Sequence, residues 1–135
     1  VEIIGEMKGA EKENIPEKKI KQVLENYLTS RGWGSEIVWS TSNHGIDIEA
    51  RRGAERWIIQ VKGSTSFPAV LINNFLLVLG EIVQRMDEPD CKYSIALPDI
   101  EQFRRLWERL PELAKSRMQV TALFVNFEGK VAEEV

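Results

Sequence analysis

The 135-residue chain contains a single cysteine, Cys91, and a single histidine, His44. One thiol cannot close an intrachain disulfide, and with one imidazole it cannot complete a four-coordinate zinc site. Stability must therefore come from packing, and a reducing cytoplasm is the expected setting. Apolar runs are short: the stretch 71–79 is interrupted by Asn73 and Asn74, so nothing reaches the ~20 residues of a membrane-spanning helix. The apolar start Val1–Ile4 breaks at once into charge, which is not a signal-peptide pattern. Because it starts with Val1 and not Met, the chain reads as a processed product or a piece of something longer. Positive charge is not in excess either. Lys and Arg number 18 against 21 Asp and Glu, a formal net charge of −3, which excludes an overall basic coat for nucleic acid. A local basic face remains open, since much of the acidic surplus lies at the ends, in Glu2, Glu6, Glu11, Glu13, Glu128, Glu133 and Glu134.

What is present is globular in balance, with 43% apolar and 29% charged residues. That is enough for one core, and the length allows one domain. Residues 1–15 read as a polar tail able to add a short strand or helix, and 16–135 as a single α/β domain. Pro16 suits the first turn of a helix. Ile20, Val23, Leu24, Tyr27 and Leu28 follow at three- and four-residue spacing, and Gly32 is placed to end it. Residues 36–41, β-branched and aromatic, read as a strand, and 42–45 as a turn. Strands at 46–50 and 57–62 flank a turn at Gly53-Ala54, and 63–68 is a loop. A strongly apolar helix is expected over 71–86, a buried strand over 93–97, and a helix capped by Asp99 with Ile100, Phe103, Leu106, Trp107 and Leu110 inward. Residues 120–127 form a last strand, and Gly129 turns the chain into a short terminal segment. The order describes a mixed α/β domain with an early meander.

The informative stretch is GIDIEARRGAERWIIQVKG, Gly45–Gly63. With the turn at Gly53-Ala54, Asp47 lies directly across from Gln60, with Cβ atoms roughly 4.5–5.5 Å apart. Lys62 shares the face of Gln60 and sits diagonally from Asp47. One face thus presents a carboxylate, an amide oxygen and an ammonium, while Ile46, Ile48, Trp57, Ile59 and Val61 form a core face. Such a set suits metal-dependent phosphodiester hydrolysis. A hard Mg²⁺ (or Mn²⁺) needs one or two carboxylates plus waters and phosphate oxygens; Asp47 would supply the charged oxygen, Gln60 a neutral one, and the backbone at Val61 a carbonyl. Lys62 would hold the attacking water or neutralise charge on the phosphate. The bland alternative is a solvent-facing strand with Asp47 paired to Lys62.

Gly-Ile-Asp47 followed across a hairpin by Gln60-Val61-Lys62, behind an amphipathic helix ending in Gly32-Trp33, resembles the PD-(D/E)xK nuclease superfamily. The Gln-x-Lys form is most similar to its Mrr-type restriction branch, and the helix–hairpin arrangement to archaeal Holliday-junction resolvases. The resemblance implies a restriction-endonuclease-like α-β-β-β-α-β core, here with an added helix and C-terminal strand or strands. It also implies a Mg²⁺-dependent DNA endonuclease of restriction, repair or recombination type. Family members usually carry Glu where this chain has Gln60. The family's further acid on the first helix, counted back from Gly32, falls on Lys21, so Glu17, one turn earlier on the same face, is the candidate. Glu49 is a second possible source of charge.

Around this site, Lys18, Lys19, Lys21, Arg51, Arg52 and Arg56 are candidates for DNA phosphates. His44 adjoins it, and Gln84 and Arg85 on the later helix are candidates to reach it. Ser64, Thr65 and Ser66 have no His/Asp partners for serine-hydrolase chemistry. The net acidity calls for a homodimer or partner domain to extend any DNA-binding surface. The competing reading is a non-catalytic DNA- or protein-binding module on a degenerate nuclease fold, and a third is an unrelated α/β domain with a structural Asp47–Lys62 pair.

Overall fold

The computed structural model describes residues 14–39, 45–64 and 67–135, which form four helices and six strands. Helix α1 (Glu17–Ser30) starts after Pro16 and buries Ile20, Val23, Leu24 and Leu28 along one side. Gly32 adopts φ 82°, and the amides of Gly32 and Trp33 bond back to Thr29 and Leu28. This is the left-handed helix stop for which glycine is suited. Strand β1 (Gly34–Ile37) pairs antiparallel with β2 (Ile48–Arg52), and β2 with β3 (Glu55–Val61). Gly53, at φ 59°, supplies the positive φ that a two-residue hairpin turn requires. Helix α2 (Pro68–Gln84) carries the chain over to β4 (Lys92–Pro98), parallel to β3. Helices α3 (Glu101–Glu108) and α4 (Glu112–Met118) lead to β5 (Val120–Val125), parallel to β4, and β6 (Val131–Glu134) closes the edge antiparallel to β5. Strand order across the sheet follows chain order, β1 to β6. The expected α-β-β-β-α-β core is present.

The sheet is covered on both faces. Ile48, Ala50, Trp57, Ile59 and Val61 pack against the inner face of α1. Ile58, Ile95, Ala122 and Phe124 pack against Phe75, Val78 and Ile82 of α2 and Phe103 and Trp107 of α3. Period-two alternation therefore fills two cores, one on each side. The outer side of α2 stays apolar, with Ile72, Leu76, Leu77 and Val83 exposed. Among the described residues no helix is long and apolar enough to cross a membrane.

Several local expectations are corrected. β1 lies two residues earlier than read, and α2 starts at Pro68, where proline fits the first turn. Asp99 is not the cap of α3. Ile100 holds that position, while the Asp99 carboxylate takes the Arg104 guanidinium at 2.7 and 3.0 Å. Pro111 ends the α3 segment and opens α4, a separate helix not anticipated from the spacing. Ile46 packs with the α2 side, not with Ile48, because β2 begins only at Ile48 and residues 45–47 do not continue its alternation. Ile15, read as the end of a tail, is buried. Residues 1–13, residues 40–41 at the end of the strand expected over 36–41, the turn at 42–44 with His44, and Thr65-Ser66 lie outside the described residues.

Candidate active site

The hairpin register is the one expected, with Ile48 opposite Ile59 and Ala50 opposite Trp57. The ladder ends at that Ile48–Ile59 pair, and just beyond it the Asp47 N–H meets the Gln60 side chain at the carboxyl end of β3, where parallel strands leave a crevice for ligands. The first turn of α1 is brought there by a backbone contact. Ile15 N–H donates to Ser64 Oγ at 2.6 Å and Ser64 N–H to Ile15 O at 3.0 Å. Gly63 lies so close beneath that a Cβ would stand 2.6 Å from the Glu17 nitrogen.

Six side chains meet at this end. Asp47 Oδ2 accepts the Val61 N–H at 2.8 Å, and the Asp47 N–H donates to Gln60 Oε1 at 3.0 Å. Gln60, with no exposed surface, donates through Nε2 to Glu81 Oε2 at 3.0 Å. The other Glu81 oxygen holds Lys62 Nζ at 3.2 Å. On the far side of Asp47, Lys21 Nζ stands 3.8 Å from Oδ1 and 3.2 Å from Glu17 Oε2, and donates to the Val38 carbonyl at 2.5 Å. Each link of Glu17–Lys21–Asp47–Gln60–Glu81–Lys62 is thus a direct polar contact. Burial pushes the Asp47 carboxyl above its ordinary range. The Val61 N–H and Lys21 oppose that rise, while the negative charges of Glu17 and Glu81 add to it.

Asp47, Gln60, Lys62 and Glu17 are therefore gathered as a group. The solvent-facing alternative does not hold, because Gln60 is fully buried and Lys62 pairs with Glu81, not Asp47. Lys21, read as a phosphate contact, is 1% exposed and turned into the network. Lys18 is exposed on α1. Arg51 and Arg52 are at the hairpin tip, about 15 Å along β2 from Asp47. There Arg51 meets Glu49 at 2.5 Å, while Arg52 covers Trp33 and bonds Glu55 and the Arg31 carbonyl. Glu49 belongs to that tip as well: its carboxylate takes Arg56 at 3.1 Å, and this bond, chief among several, holds it below the usual carboxylate range. Arg85 reaches the Gly45 carbonyl at 3.4 Å, whereas Gln84 is exposed.

Glu81 was not anticipated. Its signal is compositional, since it is the one charged residue in the helix Pro68–Gln84, and a lone acid on so apolar a helix needs a polar partner. Lys21 had a weaker signal, its spacing of four, three and seven residues to Glu17, Leu24 and Leu28 on the inward stripe. Among the described residues, no group of three or more His, Cys, Asp or Glu is close enough to hold a metal ion.

No protein-family model matches the sequence, and no curated protein matches it. Solved structures do share the fold. The crystal structure of an XisH family protein from Nostoc punctiforme PCC 73102 aligns with TM-score 0.57 at 22% identity, over 84% of this chain and 96% of that one. A fdxN element excision controlling factor protein from Anabaena variabilis gives TM-score 0.57 at 21% identity, over 84% of this chain and 95% of that one. At these identities the likeness is one of fold, a mixed α/β sheet consistent with a restriction-endonuclease-like core.

Proposed function

We propose that the chain is a divalent-metal-dependent deoxyribonuclease that hydrolyses phosphodiester bonds with Asp47, Glu81 and Lys62, using Mg²⁺ or Mn²⁺. The observation that carries this reading is the Gln60 amide, which ties Asp47 to Glu81 at 3.0 Å on each side while Glu81 holds Lys62. In this reading the acid that the nuclease pattern places at position 60 would come instead from α2, as Glu81 bonded to the Gln60 side chain. Two carboxylates, with no cysteine or histidine beside them among the described residues, fit a hard ion that retains its waters and takes its remaining ligands from phosphate. Asp47 and Glu81 would hold it; Gln60, whose oxygen already accepts the Asp47 amide, orients the two. When bound, the ion polarises the phosphate and acidifies a coordinated water.

The remaining work belongs to the chain's own groups. Lys62, drawn back by Glu81, presents an ammonium where charge grows on the phosphate as the bond breaks. Asp47, whose charged form burial disfavours, gains most from a nearby cation. Lys18 and other exposed basic residues would add phosphate contacts, and a second copy or partner domain would extend that surface. The name of the Anabaena variabilis fold neighbour, an element excision controlling factor, agrees with DNA processing as the setting.

A binding module without catalysis is the second reading. It is favoured by the two ammoniums that already face the three carboxylates. Plasmid and branched-DNA cleavage with Mg²⁺ or Mn²⁺, set beside gel-shift binding, separates the two. The nuclease reading expects Lys62→Ala to slow cleavage about a hundredfold, roughly 3 kcal/mol of barrier, with DNA affinity nearly unchanged. An unaltered chain that binds DNA but leaves every substrate intact would establish the module instead.

A further inference from the structure

The ammonium of Lys21 lies inside the protein at 1% exposure. Lysine rarely ends there, because its flexible stem normally carries the charge to water. A buried charge is tolerated only when its partners replace the lost hydration. Lys21 has two oxygens within hydrogen-bond distance and a third within ion-pair distance. An ammonium has three protons, and three oxygens surround this one: the Glu17 carboxylate at 3.2 Å, the Val38 carbonyl at 2.5 Å and the Asp47 carboxylate at 3.8 Å. They come from the first turn of α1, the residue after β1, and the segment before β2. Two carboxylates and a backbone carbonyl are also the oxygen set that a hard divalent ion takes. Asp47 belongs both to this seat and to the Gln60 side of the site: its carboxylate takes Lys21 and the Val61 N–H, and its backbone N–H donates to Gln60, which bonds Glu81. Two-ion phosphodiesterase centres place a second cation beside the first, roughly 3.5–4 Å away, to stabilise attacking and leaving oxygens together.

We infer that Lys21 is a built-in cation occupying the second cation seat, between Glu17, Asp47 and the Val38 carbonyl, so that the site takes one divalent ion and not two. The inference rests on the metal-dependent reading above. It assigns Lys21 a positioning role: its fixed charge orients Asp47 and offsets the second negative charge that Glu17 brings. It also accounts for an apparent loss in the sequence, a lysine on the first helix where the nuclease pattern has an acid. The cation is covalently attached, and the seat needs no exchangeable ion.

The test counts ions. Mn²⁺ is titrated into the purified chain, with free Mn²⁺ read by electron paramagnetic resonance and heats by calorimetry. The unaltered chain and Lys21→Arg, which keeps the charge, should each bind one Mn²⁺. Lys21→Gln and Lys21→Met, which vacate the seat but leave both carboxylates, should each bind two. Two ions on the unaltered chain overturn the inference without recourse to any variant. A single ion on either folded neutral variant overturns it too. No Mn²⁺ on any of the four chains overturns the metal-dependent reading itself, an outcome distinct from a failure of the Lys21 assignment alone.

Discussion

Replacing Gly63 by alanine tests the contact that brings α1 to the site. The added Cβ would stand 2.6 Å from the Glu17 nitrogen, 3.0 Å from the Ile15 oxygen and 3.1 Å from the Pro16 carbonyl carbon. All three are backbone atoms, so no side chain can rotate away. Relative to an optimal separation of about 3.5 Å, the two segments must part by close to ~1 Å. Overpacking of this kind costs about 1–3 kcal/mol. The Ile15–Ser64 hydrogen bonds at 2.6 and 3.0 Å straddle the same contact, and weakening one adds about 1 kcal/mol. The unfolded chain, made less flexible by alanine, returns only about 0.4–1 kcal/mol. The net loss is about 2–3 kcal/mol, a drop in Tm of roughly 10 °C for a domain of this size. Gly80→Ala is the matched control. Gly80 is an exposed residue within α2 with nothing within 4 Å of a built Cβ, so the same chemical change there should add about 1 kcal/mol and raise Tm by a few degrees. Thermal melts and urea titrations of both variants give the answer. A Gly63→Ala Tm within about 2 °C of the unaltered chain, or shifts of the same sign at both positions, would refute the reasoning.

Asp47→Asn should trade function for stability. Burial raises the Asp47 pKa above the ordinary carboxylate range, so the stability that the neutral form contributes is present below that range and lost as pH rises through the raised pKa. Asparagine is neutral throughout; in metal-free buffer the variant should melt above the unaltered chain near neutral pH, with the gap narrowing on acidification. A variant that melts lower at neutral pH contradicts this. Gln60→Glu replaces the donor to Glu81 with a fourth carboxylate, and should destabilise the metal-free chain by about 1–2 kcal/mol. Mg²⁺ should restore the loss and bind more tightly than to the parent, as thermal shift across an Mg²⁺ series would show; a metal-free melt equal to the parent's, with no added response to Mg²⁺, rules the arrangement out.

The chain's own pattern determined the order of elements as far as α3, the end of α1 at Gly32 and the β2–β3 register that brings Asp47 to Gln60. These are local outcomes. A two-residue turn at Gly53-Ala54 propagates pairing down a hydrogen-bonded ladder, and a one-residue slip would turn the core face of β3 to the wrong side. Only the tertiary structure decided which helices close over the site and with which side chains. α2 is apolar nearly all round, with buried Leu71, Phe75, Val78 and Ile82 and exposed Ile72, Leu76, Leu77 and Val83, so its hydrophobic pattern does not choose an inward face. Packing against Ile58 and Ile95 sets its rotation, and that rotation delivers Glu81 to Gln60 and Lys62. Lys21 illustrates the same limit from the polar side. On a helix a lysine is read as solvated, and it is buried here because the acceptors that replace its water, the Val38 carbonyl and the Asp47 carboxylate, arrive from segments 17 and 26 residues further along the chain. Hydrophobic periodicity carries no record of partners at that distance, and charge burial depends on them.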